Sequence, residues 1–174
     1  AIAGGCHLHW LLATNISGEL RHRLKNSENH VLNCGMRLKV PPTSLYAHPD
    51  VSVVHGTAQF EDELQDTLVN PKILIEVLSD TTAAWDRGGK FWHYRQLESL
   101  SEYILISQET WLADQYTRQP NGSWMLKTVE GEDGVLQLTS IKCQLPLGEV
   151  YANTTVPHGQ APATNKPSQP KVKA

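Results

Sequence analysis

The 174-residue chain carries a net charge of −3, and 40% of its residues are apolar, enough for one domain with a hydrophobic core. No acidic residue follows Glu149, and removing the charges of Lys166, Lys171 and Lys173 leaves −6 for residues 1–151, which speaks against tight non-specific duplex binding through a broad basic face. Cys6, Cys34 and Cys143 are far apart and contain no CxxC pair, so they indicate neither a zinc module nor a disulfide scaffold; with no basic leader and no apolar run near membrane-spanning length, the expectation is a cytoplasmic protein with reduced thiols and no membrane span.

In chain order, the first element is a predicted helix over residues 7–24. Leu8, Leu12, Ile16, Leu20 and Leu24 recur every four residues and form one core-facing stripe. The chain lacks an initial Met and enters this helix almost at once, as expected if an N-terminal piece has been removed. Residues 31–40 alternate as a strand, or as two strands broken near Gly35, and Pro41-Pro42 stops them. Asp50 opens an apolar strand over 50–54, directly after Pro49. Residues 55–69, with Glu61, Asp62, Glu63 and Asp66, read as a polar surface loop.

Residues 73–78 are the strongest strand: five of six are apolar, and Glu76 interrupts them. Ser79 to Thr82 are capping residue types, so a helix is predicted from there to about residue 100. Residues 102–107 form another apolar strand, and a helix joining two such strands predicts a parallel βαβ crossover. Asn121-Gly122 predicts a hairpin between strands at 111–117 and 123–129. Short apolar pieces follow at 135–138 and 141–147, with a further turn or helix at 147–151. Residues 152–174 have almost nothing to bury and read as a flexible basic, Pro-rich tail. The expected architecture is one α/β domain over 1–151, a mixed sheet flanked by helices.

Chemistry concentrates around Glu76. A carboxylate inside an apolar strand is costly unless it is paired or coordinates a cation. Asp50 on a neighbouring strand would bring a second carboxylate close to it, and two like charges there favour a shared Mg²⁺ or Mn²⁺. Asp86 and Lys90 are four apart on one predicted helix face. Taken singly, Asp50 is also a common turn residue, Asp86 with Lys90 a common surface ion pair, and Tyr94 a common core tyrosine. His9 reads first as a packed or exposed histidine, with an approach to the site from the helix end as the alternative; His48 precedes Pro49-Asp50, and His93 is expected at the surface.

His9, Leu12, Asn15, Ile16, Leu20 and Leu24, then Pro49-Asp50-Val51, then Ile75-Glu76-Val77-Leu78-Ser79 with Thr82, Asp86-Arg87, Lys90 and Tyr94, then Glu102-Tyr103, together resemble the Uma2 family, common in cyanobacteria, over about residues 5–151. That family is similar to a branch of the PD-(D/E)XK nuclease superfamily, with the restriction endonuclease-like fold. The resemblance implies that Asp50 and Glu76 are the metal-binding acids and that the Val77 backbone carbonyl is a third ligand. The superfamily's lysine normally stands two residues after the second acid; Leu78 occupies that place, and the resemblance implies Lys90 as its replacement. Family members also carry an N-terminal Tyr-Glu…Asp-Gly segment that this sequence lacks, so an edge element is expected to be missing. The implied activity is a Mg²⁺- or Mn²⁺-dependent endonuclease hydrolysing DNA; a domain this small has little surface with which to grip a duplex, so a homodimer is expected. The alternative is a catalytically inactive nucleic-acid-binding or protein-interaction module on the same fold.

Overall fold

A computed structural model describes residues 6–33 and 35–158. Cys34 and the expected tail beyond residue 158 lie outside the described residues.

Helix α1 (His7–Arg23) buries Leu12, Ala13, Ile16 and Leu20, and Leu24 caps its end. The stretch expected as one broken strand divides into β1 (Asn29–Asn33) and β2 (Arg37–Val40), which join different sheets. Next come β3 (Leu45–Ala47), β4 (Val51–His55), β5 (Thr67–Leu68) and β6 (Ile73–Val77). The predicted loop over 55–69 therefore contains a strand: β5 pairs in parallel with β2, and Thr67 and Leu68 are fully buried. Two residues in an acidic stretch give no periodicity to read.

The helical segment after β6 consists of α2 (Ala83–Trp85), a π-helical turn (Asp86–Lys90) and α3 (Phe91–Tyr94). It stops at Tyr94, short of the expected residue 100. Arg118 supplies the reason, because one guanidinium nitrogen donates to the carbonyls of Arg95 and Leu97 at 2.8 and 2.7 Å, satisfying backbone acceptors beyond the helix end. The expected side-chain cap is also different. The Ser79 hydroxyl bonds the Thr82 and Thr81 hydroxyls, and the helix starts on the Ser79 carbonyl instead.

Strands β7 (Glu102–Ile106), β8 (Leu112–Arg118) and β9 (Trp124–Glu130) complete a six-stranded sheet of order β1-β4-β6-β7-β8-β9. Within this sheet, among the described residues, only β6 and β7 pair in parallel, so the crossover read from the sequence is present. The β8–β9 hairpin turns at Asn121-Gly122, where Gly122 takes φ +83°, a left-handed conformation that glycine adopts without strain. Then β10 (Val135–Leu138), β11 (Cys143–Pro146) and α4 (Leu147–Val150) form a small hairpin and helix.

The sheet is covered on both faces. Ile73, Ile75 and Val77 of β6, with Ile104 and Ile106 of β7, pack with α1, α4 and the β10–β11 hairpin. Leu74 and Leu78, with Tyr103 and Leu105, pack with Tyr94, Leu97, Leu100 and the β2–β5 layer. This double covering explains the nearly unbroken apolar runs of β6 and β7. Truncating Ile75 to Ala would cost about 2–5 kcal/mol. It also leaves Glu76, in phase with Leu74 and Leu78, pointing toward the helical segment.

Residues 152–158 are held in place. Trp111 donates its indole N–H to the Val156 carbonyl at 2.9 Å and its backbone N–H to that of Pro157 at 3.1 Å, and its ring stacks on His158.

Candidate active site

The site forms where β4 begins and β6 ends. The antiparallel β4–β6 ladder stops at Val51 opposite Ile75. Beyond it, the Asp50 side chain continues the pairing: its Oδ2 accepts the Val77 backbone N–H at 2.8 Å. Its Oδ1 lies 2.8 Å from His9 Nε2. Asp50 is only 8% exposed, so both contacts are in a partly dry environment. His9 reaches it from the first turn of α1, on the other layer of the fold. Asp50 thus joins the two layers at the end of the sheet.

Glu76 is 4% exposed. Its Oε1 accepts from Tyr94 Oη at 3.0 Å and lies 2.9 Å from Lys90 Nζ. Lys90 Nζ is also 3.0 Å from Asp86 Oδ1. Asp86, Lys90 and Tyr94 all reach inward from the helical segment, and its π turn lies between the first two. Such turns are rare and occur often at functional sites. The Tyr103 hydroxyl donates to the Asp86 carbonyl at 3.1 Å, which anchors that turn to β7.

The charges do not balance. Asp50, Glu76 and Asp86 face one lysine and, when it is protonated, one histidine. Burial pushes the Glu76 carboxyl up to about 7; the Lys90 ammonium opposes the rise, and the Asp50 and Asp86 charges add to it. His9 is raised above the usual imidazole value, chiefly by its hydrogen bond to Asp50, against the effect of burial. Burial acts to lower Lys90, but Glu76 and Asp86 outweigh it and hold the ammonium charged. Tyr94 stays a neutral donor, because burial and the Glu76 charge raise it well above its ordinary range.

This excess of hard-oxygen negative charge fits a Mg²⁺-type site, which needs one or two carboxylates and completes its shell with water and substrate oxygens. Each carboxylate oxygen has two lone-pair directions, so the contacts of Asp50 leave room for a further partner. The residues do not fit a cage made wholly of protein ligands: among the described residues no three His, Cys, Asp or Glu converge as a metal-holding group. Asp50 and Glu76 would hold the cation, with the backbone at Val77 beside them.

The sequence candidates Glu76, Asp86, Lys90 and Tyr94 are thus joined in one cluster, and Asp50 with His9 forms a second group that meets it at the backbone N–H of Val77, next to Glu76. His48 is exposed. His93 is half-buried between Trp85 and Trp92, with ring centroids 5.9 and 4.9 Å away. Tyr103 was not legible as a site residue, since a tyrosine in an apolar strand carries no signal of which carbonyl it meets. A groove of about 1050 Å³ runs between α1 and the β10–β11 hairpin, but none of its lining residues belongs to this network.

The doubly covered mixed sheet with acids at the strand ends is the restriction endonuclease-like architecture. A crystal structure described as "a putative nuclease belonging to DUF820", from Anabaena variabilis, superposes with a TM-score of 0.68 over 86% of this chain and 82% of that one, at 15% identity. The model of the Uma2 family, described as "Putative restriction endonuclease", matches residues 2–148, and the chain belongs to that family. Two proteins of a Synechocystis strain are similar along most of their length. One, sll1609, is 30% identical over 141 residues, covering 81% of this chain and 80% of its own; the other, slr1290, is 29% identical over 152 residues, covering 87% and 78%.

Proposed function

We propose that the protein is a metal-dependent endonuclease that hydrolyses DNA phosphodiester bonds. The observation that carries this reading is the placement of Asp50 on the Val77 N–H, directly beside Glu76 with its Lys90 and Asp86 partners, three carboxylates against one lysine and one histidine. Bound Mg²⁺ or Mn²⁺ would polarise the scissile phosphate and lower the pKa of a bound water.

The chain's own residues perform the remaining tasks. Asp50 and Glu76 supply the hard oxygens, and the Val77 N–H and His9 fix the orientation of Asp50. Tyr94 holds Glu76 by a hydrogen bond from a group that stays protonated. Lys90, kept charged by two carboxylates, would stabilise negative charge developing on the phosphorus oxygens. Asp86 keeps the ammonium in place from the helix side. The lysine therefore arrives from the helical segment, while the strand position two after Glu76 holds Leu78, buried in the core. Hydrolysis would leave a 5′-phosphate, and a homodimer would give this small domain enough surface to grip a duplex. No helix among the described residues is long and apolar enough to cross a membrane.

The test is incubation of supercoiled plasmid with Mg²⁺ or Mn²⁺, alongside calorimetric titration of the metal. Metal-dependent nicking is expected from the native protein and none from Glu76→Gln or Lys90→Ala. Nicking that survives in both variants, or an absence of Mn²⁺ binding, overturns the assignment.

A further inference from the structure

The helical segment that carries Lys90 also presents an aromatic surface that the site does not use. Trp85 is 49% exposed and Trp92 is 50% exposed. His93 lies against both rings. The six-membered ring of the Trp85 indole lies against Gly89: a Cβ added there would come within 1.9 Å of it. The indole is therefore held against the turn, and about half of the residue remains open. Gly89 directly precedes Lys90, so this support and the site share one turn of chain.

Between residues 81 and 97 the single acid is Asp86, which is buried and paired with Lys90. The exposed charges of the segment are Arg95 and Arg87, the latter paired with Asp114 at 3.1 Å, and the exposed acids Asp80 and Glu98 stand just outside it. The protein thus exposes, beside its carboxylate site, two aromatic rings near Arg95 and the Asp114-paired Arg87. Duplex affinity comes mainly from phosphate neutralisation, which the net charge of −3 opposes. Single strands offer in addition the faces of their unpaired bases, and stacking on an aromatic side chain does not depend on sequence.

We propose that Trp85 and Trp92 are a stacking platform for unpaired bases, and that the site acts on single-stranded or locally unpaired DNA in preference to intact duplex. This rests on the endonuclease reading and specifies its substrate. Bases would stack on the two indoles, Arg95 would attract the backbone, and the strand would run along the helical segment toward Lys90.

Binding measured in EDTA tests this separately from cleavage. Fluorescein-labelled dT12 and a 12-base-pair duplex are titrated with the native protein and followed by anisotropy. The expected result is tighter binding of dT12, with quenching of tryptophan fluorescence. The double variant Trp85→Ala, Trp92→Ala should weaken dT12 binding by roughly 10-fold or more, and Trp85→Phe should keep most of it. Gly89→Ala should weaken it as well, since the new methyl displaces the indole without removing it. The rings are half-exposed, so thermal melts of the variants should match the native protein.

The proposal is overturned if duplex and dT12 bind equally, or if the double variant binds dT12 as the native protein does. It is also overturned if the double variant converts an associated protein to monomers in light scattering, which would make this surface a contact between copies of the chain. Binding of dT12 through Trp85 without any Mn²⁺-dependent cleavage would leave the stacking platform standing and remove the endonuclease reading, and with it the preference in cleavage; cleavage of duplex with the tryptophans irrelevant would overturn the platform and leave the endonuclease reading.

Discussion

Two carboxylates stand on neighbouring strands of the central sheet, both almost wholly inside the protein, and they have opposite surroundings. Glu102, at the start of β7, has no exposed surface, and its oxygens are met by neutral donors: the Gln115 side-chain amide at 2.6 Å and the Ser140 backbone N–H at 2.8 Å. Gln115 also donates to the Gln137 carbonyl, so the arrangement ties β7, β8 and the β10–β11 hairpin together. Glu76, near the end of β6, has a lysine, a tyrosine and the fields of two further carboxylates around it. Burial by itself therefore does not mark a reactive acid. An acid hydrogen-bonded on each oxygen by neutral groups is a structural joint, whereas one among unbalanced charges remains able to bind a cation.

The comparison breaks most easily at Glu76. Glu76→Gln keeps the shape and removes the charge; metal-dependent cleavage should fall by about 10²–10³-fold or more, while urea denaturation of the metal-free protein should show no loss of stability. Activity that persists would place Glu76 in the same class as Glu102. Next in size is Lys90→Met, which strands two buried carboxylates and should cost about 3–5 kcal/mol by the same denaturation. Adding Glu76→Gln to it should recover part of that loss, and strict additivity of the two changes would mean that the groups do not interact in solution. Glu102→Ala should cost about 2–3 kcal/mol by leaving the Ser140 N–H and the Gln115 amide unsatisfied, without changing cleavage per folded molecule. A drop in turnover after correction for folding would show that the joint is not independent of the site.

The smallest effect is a pH dependence. Glu76 keeps its proton in the folded, metal-free protein to about pH 7, against an ordinary value of 4.5. The unfolded chain gives up that proton first, so stability from this group is full below pH 4.5, falls as pH rises through the interval to about 7, and then levels off. His9, also raised, loses its contribution as pH rises through its folded value, which lies above 6.5. The difference between native protein and Glu76→Gln isolates the acid, and in EDTA it should amount to about 1–3 kcal/mol across that window. A flat difference curve would show that Glu76 ionises as an exposed carboxylate does.

The sequence made some of this visible and hid the rest for definable reasons. The leucine repeat of α1, the apolar runs of β6 and β7 and the Asn121-Gly122 turn are local patterns, and each forms the element expected of it. Glu76 stood out because a charge in an apolar strand is a local anomaly. Glu102 did not, because an acid at the start of a strand looks like any polar boundary, and its partners come from residues 115 and 140. His9 and Asp50 are 41 positions apart and meet only because α1 crosses the end of the sheet. The early end of the helical segment depends on Arg118, from a hairpin strand that no reading of residues 83–100 could include.

Because the Asp50 carboxylate takes the place of a missing ladder partner for Val77, it serves the backbone as well as any cation. A lineage that abandoned catalysis would still be penalised for losing it, since an amide near the sheet's interior would go unanswered. Glu76 has no such second duty toward the main chain. Among descendants of this fold, an aspartate at the head of β4 therefore says little about whether a protein still cuts anything, and drift at the neighbouring glutamate would be the earlier sign of retirement.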